Sequence, residues 1–409
     1  MIVLYDLETY KDAFIAVFKD VHSEIIYKYE ISYRKNQLND LIKFLKGCKG
    51  MIGYNNLSFD YPLIHFILTN KKNHKLNGYE LALKLHRKAN DIIKSEYSRV
   101  KNVLIPQADL YLIWHFNNKA KATSLKKCQF FFRWKLVQDL PYAPTDNLSS
   151  KMIDDVIEYC INDVLSTEEL YNHSQHKFKL RSILGDIYNI NFTNYNDVKI
   201  GESIILNMYC KKTGLNLEDV KYKQTRRNNI DLVDCIPDYI KFNSKEFNNL
   251  VKVFSKQSIN PYNSEFHHSV KYKGFQYDYG LGGIHGSVNG KFTEDDEWEI
   301  YDVDVASLYP SLMINLNIFP EHLGISFLEV YKEILHKRLK SKKLRKDKSL
   351  SEKEKEIHNA INDGLKLSLN GSYGKMKDEF SPLHDPLKAS GSKIHLIAGK
   401  LLCYSYNIV

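Results

Sequence analysis

A chain of 409 residues exceeds one ordinary hydrophobic core and predicts two or three domains. With 43% hydrophobic and 12% aromatic residues, the composition excludes a disordered chain, and no apolar run is long enough to span a membrane. The net charge of +9, from 58 Lys plus Arg against 49 Asp plus Glu, is a mild excess that suits a polyanionic partner without requiring one.

The first ten residues, MIVLYDLETY, carry acids where a secretory signal needs a basic region. The six cysteines (Cys48, Cys128, Cys160, Cys210, Cys235 and Cys403) are scattered, without CxxC or a histidine at metal-ligand spacing. They read as reduced thiols of a soluble cytoplasmic protein, and no zinc site is expected.

Residues 2–5 (IVLY), 13–18 (AFIAVF) and 23–31 (SEIIYKYEI) are apolar or alternating runs separated by short polar turns, and predict a three-strand meander. A helix near 37–46, a short strand at 51–55 (MIGYN) and a helix from Pro62 follow. Residues 71–105 are Lys-rich and weakly patterned, and read as a surface insertion. A long helix, straight or kinked, is expected from about Ser150 to Leu184, with an apolar stripe through Ile153, Val156, Cys160 and Val164.

Residues 186–275 give helical pieces without a chemical signal and are read as a connecting region. Glycine then concentrates at 279–287 (YGLGGIHGS), EIYDVDV reads as a strand, and SLYPSLMINL turns it into a helix. Residues 328–374 predict a helical hairpin, whose second helix starts at a capping box, SEKE, with Ser351 as N-cap and Glu354 reaching back.

In YDLETY, Asp6 and Glu8 stand two apart at the end of a buried strand, so both side chains leave one face. Two adjacent like charges repel unless a cation lies between them, but such a pair alone is common at strand ends. In GYNNLSFDYP, Asp60 follows a strand beside Phe59, Asn55 and Asn56. In YCINDV, Tyr159 and Asp163 are four apart on one helical face.

Taken in order, these three motifs resemble the proofreading 3′–5′ exonuclease of family B DNA polymerases, the DEDD type with tyrosine, on an RNase H-like α/β domain. The resemblance implies that Asp6 bridges two divalent metals, Mg²⁺ or Mn²⁺, that Glu8 and Asp163 hold the water-activating ion and Asp60 the other, and that Tyr159 orients the water. It further implies that Phe59, Asn55, Asn56, Ser124 and Leu125 grip a frayed 3′ end of DNA.

YDVDVASLYPS contains Asp304, Ser307, Leu308, Tyr309, Pro310 and Ser311 in the D-x-x-S-L-Y-P-S pattern of the family B palm. By the resemblance Asp304 is a metal ligand, and Tyr309 packs under the sugar of an incoming dNTP and excludes a 2′-hydroxyl. Asp302 has no matched role. KLSLNGSYG resembles the fingers motif K-x-x-x-N-S-x-Y-G, with Lys366, Asn370 and Tyr373 in place and Gly371 where serine is usual. Lys366, with Arg338 and Lys342 on the facing helix, then neutralises the triphosphate. Tyr279, Gly282 and Gly283 resemble the segment that joins exonuclease to polymerase in small viral members and approaches the template.

The resemblance thus predicts an exonuclease domain over 1–185, part of a palm over 276–327, a fingers hairpin over 328–374 and continued palm over 375–409. The third palm motif, D-T-D, occurs nowhere in the sequence, so polymerisation is expected to need that segment in cis or from a second polypeptide. The expected partners are primer-template and single-stranded DNA, with no membrane. Two alternatives are a stand-alone exonuclease with a DNA-holding half and a noncatalytic single-strand binding module.

Overall fold

The computed structural model describes residues 1–95, 100–118, 122–236, 241–262, 267–280, 283–301, 307–376 and 378–389. The chain divides into two compact units, Met1–Asp197 and Val198–Val409.

In the first unit, β1 (Ile2–Thr9) runs antiparallel to β2 (Ala13–Asp20), which pairs in turn with β3 (Ile26–Ser32). After α1 (Leu38–Gly47), β4 (Gly50–Gly53) adds to the other side of β1 in parallel. Then come α2 (Asp60–Thr69), α3 (Gly78–Lys94) and β5 (Gln107–Asp109), which is parallel to β4. The result is a mixed five-stranded sheet of order β3-β2-β1-β4-β5.

Both faces of this sheet are covered, which is why β2 is apolar nearly throughout rather than alternating. Val3, Tyr5 and Leu7 of β1 point into a core shared with α1, α2 and α3. Leu4, one residue out of phase, joins the opposite core, built with α4 (Leu110–Ile113), α5 (Leu125–Phe131) and α6 (Ser150–His173). Strand parity therefore sends Asp6 and Glu8 toward the α6 side.

The surface insertion expected at residues 71–105 is instead largely structural. Asn77 and Glu80 form a reciprocal capping box that starts α3. Leu81, Leu85, Ala89 and Ile92, at i, i+4, i+8 and i+11, are buried in the sheet's core. The lysines that obscured this stripe lie on the outer side, Lys84 and Lys88 over the Phe66 ring.

The long helix is interrupted at Ser174, which caps α6, accepts a hydrogen bond from Trp114 Nε1 (2.8 Å) and precedes α7 (Gln175–Tyr188). Arg181 on α7 is buried but saturated, with bonds to the carbonyls of Tyr195 and Ile113 and an ion pair with Asp197.

In the second unit, α8 (Asp197–Thr213) and α9 (Leu217–Lys221) lead to β6 (Ile230–Asp231), α10 (Lys245–Phe254) and β7 (Ser258–Ile259). β8 (His267–Tyr272), β9 (Phe275–Gly280) and β10 (Gly283–Ser287) form an antiparallel sheet. The β8–β9 hairpin turns through Lys273 (φ 47°) and Gly274 (φ 82°), a two-residue turn of the left-handed kind that matches strand twist. The stretch read as a connecting region thus carries a small core of its own, where Phe247, Leu250 and Phe254 meet Tyr277 and Tyr279.

Next come α11 (Leu308–Asn315), α12 (Ile325–Leu344), α13 (Glu352–Lys375) and α14 (Pro386–Ala389). α12 and α13 form the expected hairpin, and the Ser351–Glu354 capping box is present. Tyr331 on α12 donates to the Leu369 carbonyl of α13 at 2.6 Å. No helix among the described residues is long and apolar enough to cross a membrane.

Candidate active site

α6 packs its Ile153–Val156–Cys160–Val164 stripe against the Leu4 face of β1. Tyr159 and Asp163 border that stripe, so they meet the two acids that β1 sends to the same side. Carboxylate oxygens of Asp6, Glu8 and Asp163 come within 4.8 Å of one another. Asp60, the first residue of α2, stands outside this trio but close enough for its charge to act on Asp6 and Glu8. The fold thus gathers four acids from three distant segments.

Their electrostatics follow from crowding in a poorly solvated place. Burial raises Asp6 well above the usual carboxylate range, and repulsion from Asp60, Glu8 and Asp163 adds to it. Glu8 is raised by burial and then by Asp163 and Asp60. Asp60 is pushed up to about 8, chiefly by burial, although its own N–H and that of Leu7 donate to it. Asp163 is raised less, because Gln129 and Tyr159 donate to it. The Tyr159 hydroxyl is raised too, by burial and then by Asp163, and stays protonated as a donor.

Three neighbours of this cluster carry no sequence signal. Gln129 on α5 is fully buried and donates from Nε2 to Asp163 Oδ1 (3.0 Å) and Ser166 Oγ (2.8 Å), while its Oε1 has no hydrogen-bond partner among the described residues. The Cys160 thiol donates to Asp6, 3.5 Å from its carbonyl and 3.8 Å from Oδ2. Asp109, buried at the end of β5, accepts from the backbone N–H groups of Asn55 (2.9 Å), Leu57 (3.2 Å) and Tyr111 (3.0 Å). It holds the loop that delivers Asp60, and burial pushes it up to about 6. The Gln129–Asp163 and Cys160–Asp6 pairings join residues 34 and 154 positions apart, beyond any local spacing rule.

The residues expected to grip a 3′ end are placed unequally. Asn55 adopts a left-handed backbone (φ 59°) and is half-exposed, as is Phe59. Asn56 is fully buried, with its amide 2.9 Å from Gln107 Oε1. A Cβ on Gly53 would lie 2.7 Å from the Asn56 Cβ, so only glycine fits beneath it. Ser124 caps α5 by accepting from Lys127 N (3.2 Å), and Leu125 packs partly into the α6-side core.

In the second unit, Tyr309 of α11 and Tyr373 of α13 stack, with ring centroids 5.0 Å apart and planes at 24°. Ser307, in a left-handed conformation at the head of α11, accepts from Arg338 Nη1 at 2.8 Å, while Leu308 opens the helix. Arg338 Nε is buried without a hydrogen-bond partner among the described residues. Lys342, Lys366 and Asn370 are exposed on α12 and α13. Tyr279 is buried against Phe254 in the small core, and Gly283 opens β10. Asp302, Asp304 and Gly282 lie outside the described residues, as do most of the strand expected at EIYDVDV and the end of the chain.

No protein-family model matches the chain, and no curated protein matches it.

Proposed function

We propose that the first unit is an RNase H-like 3′–5′ exonuclease acting on DNA, and that the second unit carries nucleotide-site residues of a family B DNA polymerase. The observation that carries the first part is the convergence of Asp6, Glu8 and Asp163 within 4.8 Å, with Tyr159 one helical turn from Asp163. The second part is supported by the Tyr309–Tyr373 stack and by Arg338, whose unpartnered buried Nε suits an anionic ligand.

The donor set fits divalent metal. It consists of hard carboxylate oxygens, crowded, half-buried and destabilised by one another, which is the arrangement that selects Mg²⁺ or Mn²⁺. Asp6, Glu8 and Asp163 would hold one ion, with Asp60 and Asp6 available to a second. Such ions, when bound, activate water and stabilise the leaving oxygen of an in-line displacement at phosphorus.

The chain's own groups do the rest. Gln129 and the Tyr159 hydroxyl fix the orientation of the Asp163 carboxylate, and Cys160 does the same for Asp6. The one proton of the Tyr159 hydroxyl goes to Asp163, so its oxygen would accept a hydrogen bond from a water on the α6 side of the cluster and orient it. Phe59 and Asn55, half-exposed on the loop held by Asp109, would be the residues of that loop available to the terminal nucleotide, with Phe59 resting on the α1–α3 core.

Asp6→Ala or Asp163→Ala should abolish Mg²⁺-dependent release of mononucleotides from single-stranded 3′ ends, with circular dichroism unchanged. Undiminished digestion by either variant would overturn the assignment. For the second unit, Arg338→Ala should weaken binding of a deoxynucleoside triphosphate by about tenfold or more, the scale of one charged hydrogen-bonding group.

A further inference from the structure

β5 is an edge strand of the five-stranded sheet, so its outer backbone groups have no neighbouring strand in that sheet to pair with. One side chain takes the place of that strand. Asn194 Oδ1 accepts from the Asp109 N–H at 2.8 Å, and Asn194 Nδ2 donates to the Gln107 carbonyl at 2.8 Å, so a single amide closes the edge. The loop that carries it is fixed on both sides. Phe192 is 1% exposed, its carbonyl accepts from the Tyr195 N–H (2.9 Å), and Arg181 donates twice to the Tyr195 carbonyl, at 3.0 and 2.7 Å. Asn194, itself half-buried, is thus presented to β5 from an anchored turn.

The two residues that this amide grips are those of β5 whose side chains reach the loop before α2. The Asp109 carboxylate accepts from the N–H groups of Asn55, Leu57 and Tyr111, holding that loop and capping α4 at once. Gln107 Oε1 lies 2.9 Å from the Asn56 amide. The remaining path to the acidic cluster is short. The Ser58 N–H donates to the Asn55 carbonyl (3.1 Å), the Tyr61 N–H donates to the Asn56 carbonyl (2.8 Å), and Asp60 opens α2. A metal ligand has to be held within about 0.5 Å of its productive place. A loop that drifts further than this loses the ion before it loses its fold.

We propose that Asn194 is a positioning residue of the exonuclease site: by fixing the backbone of Gln107 and Asp109 it fixes the loop that sets Asp60 near Asp6, and so the hold on a second metal ion. The inference rests on the exonuclease reading above, and it assigns to that site a residue from the far end of the first unit. A cap that served only to close the sheet edge would act on the stability of the whole unit. A positioning residue acts first on the loop from Asn55 to Asp60, and that difference can be measured.

The test is Asn194→Ala in the full chain, with Thr193→Ala on the same loop as its control. In EDTA, where no cleavage is needed, hydrogen exchange of the Asn55 and Leu57 amides should accelerate by about three- to tenfold in Asn194→Ala, the scale of one lost hydrogen bond. Amides paired between β1 and β2 should keep their rates. The Mg²⁺ concentration for half-maximal release of mononucleotides should rise by about the same factor, and saturating Mg²⁺ should return most of the rate. Thr193→Ala should change neither. Unaltered exchange at Asn55 and Leu57 would overturn the proposal. So would acceleration spread equally over β1 and β2, or a rate lowered at every Mg²⁺ concentration with the half-maximal point unmoved, since both are the marks of a purely structural cap. Failure of the exonuclease reading shows separately, as absence of mononucleotide release by the unaltered protein with Mg²⁺.

Discussion

Neutralising one acid of the cluster should stabilise the metal-free protein, and Asp60→Asn is the sharpest case. Asp60 is 5% exposed and its pKa is raised from 3.8 to about 8. Below pH 4 the carboxyl is protonated in both folded and unfolded chains and has no effect on stability. Between about pH 4 and 8 the unfolded chain releases the proton while the folded one keeps it, so stability falls as pH rises through this window. Above it the loss is complete.

At about 1.4 kcal/mol per unit, a rigid site would lose about 6 kcal/mol, and relaxation with water entry reduces this to about 2–3 kcal/mol. Asparagine keeps an oxygen for the Leu7 N–H and removes the titration. Urea unfolding in EDTA, followed by tryptophan fluorescence, should therefore show a flatter decline from pH 5 to pH 8 for Asp60→Asn. The variant should be the more stable by about 2 kcal/mol at pH 8. Trp114 and Trp134 lie in the first unit and Trp298 in the second, so the signal weights the unit in question. Mg²⁺ should recover more stability in the unaltered protein than in the variant. Parallel pH curves in EDTA would refute the idea that burial, with Asp109 nearby, holds Asp60 protonated well above the usual carboxylate range.

Leu85→Ala should destabilise the first unit by about 2–5 kcal/mol, as expected for a core residue of α3; a loss under half a kcal/mol would return residues 78–94 to the surface. Gly201→Ala should destabilise the second unit by about 1–3 kcal/mol, since the new Cβ would meet the Leu367 and Ser368 backbone of α13 at 2.7 Å, and calorimetry of that unit's transition would show it. DNA binding should weaken steeply with added salt through counterion release and show little preference among sequences; a flat salt response in an anisotropy titration would contradict a phosphate-contacting surface.

What could be read from the sequence is what depends on local period. Strand parity put Asp6 and Glu8 on one face, the i, i+4 rule put Tyr159 with Asp163, and the capping box marked the start of α13. α3 was hidden because Lys84, Lys88 and Lys94 dilute its composition while leaving its apolar spacing intact. Gln129, Cys160 and Asp109 were out of reach for a different reason. Each is an ordinary residue made important by a partner on another segment, and no window along the chain contains both ends of such a bond. The burial of Asn56 and Tyr279, likewise, comes from tertiary packing of side chains that are at home on a surface.

Two buried cations elsewhere in the protein are treated differently from the acids of the cluster. Lys19, 1% exposed, is met by Glu168 at 2.5 Å, and Arg181, 2% exposed at its side chain, by Asp197 at 2.9 Å. Those are the pairings that make a buried charge tolerable. At the β1–α6 junction the donors are instead neutral: a thiol, an amide, a phenol and backbone N–H groups. Lys126, whose field does reach Glu8 and Asp163, is itself held by Asp139 at 2.5 Å. Lys19 and Arg181 are given counter-charges, whereas Asp6 and Glu8 are raised by burial and by the acids beside them, an arrangement that gains no stability by itself. It leaves an electrostatic deficit that a divalent cation would relieve, and under the metal-site reading proposed above protons should be released as metal is taken up. Titration of the apo protein with Mg²⁺ or Mn²⁺ in weak buffer should acidify the solution, and Asp6→Ala should reduce the protons released per ion bound. Metal uptake without proton release would mean that these carboxyls are already ionised, and the argument from crowding would fail.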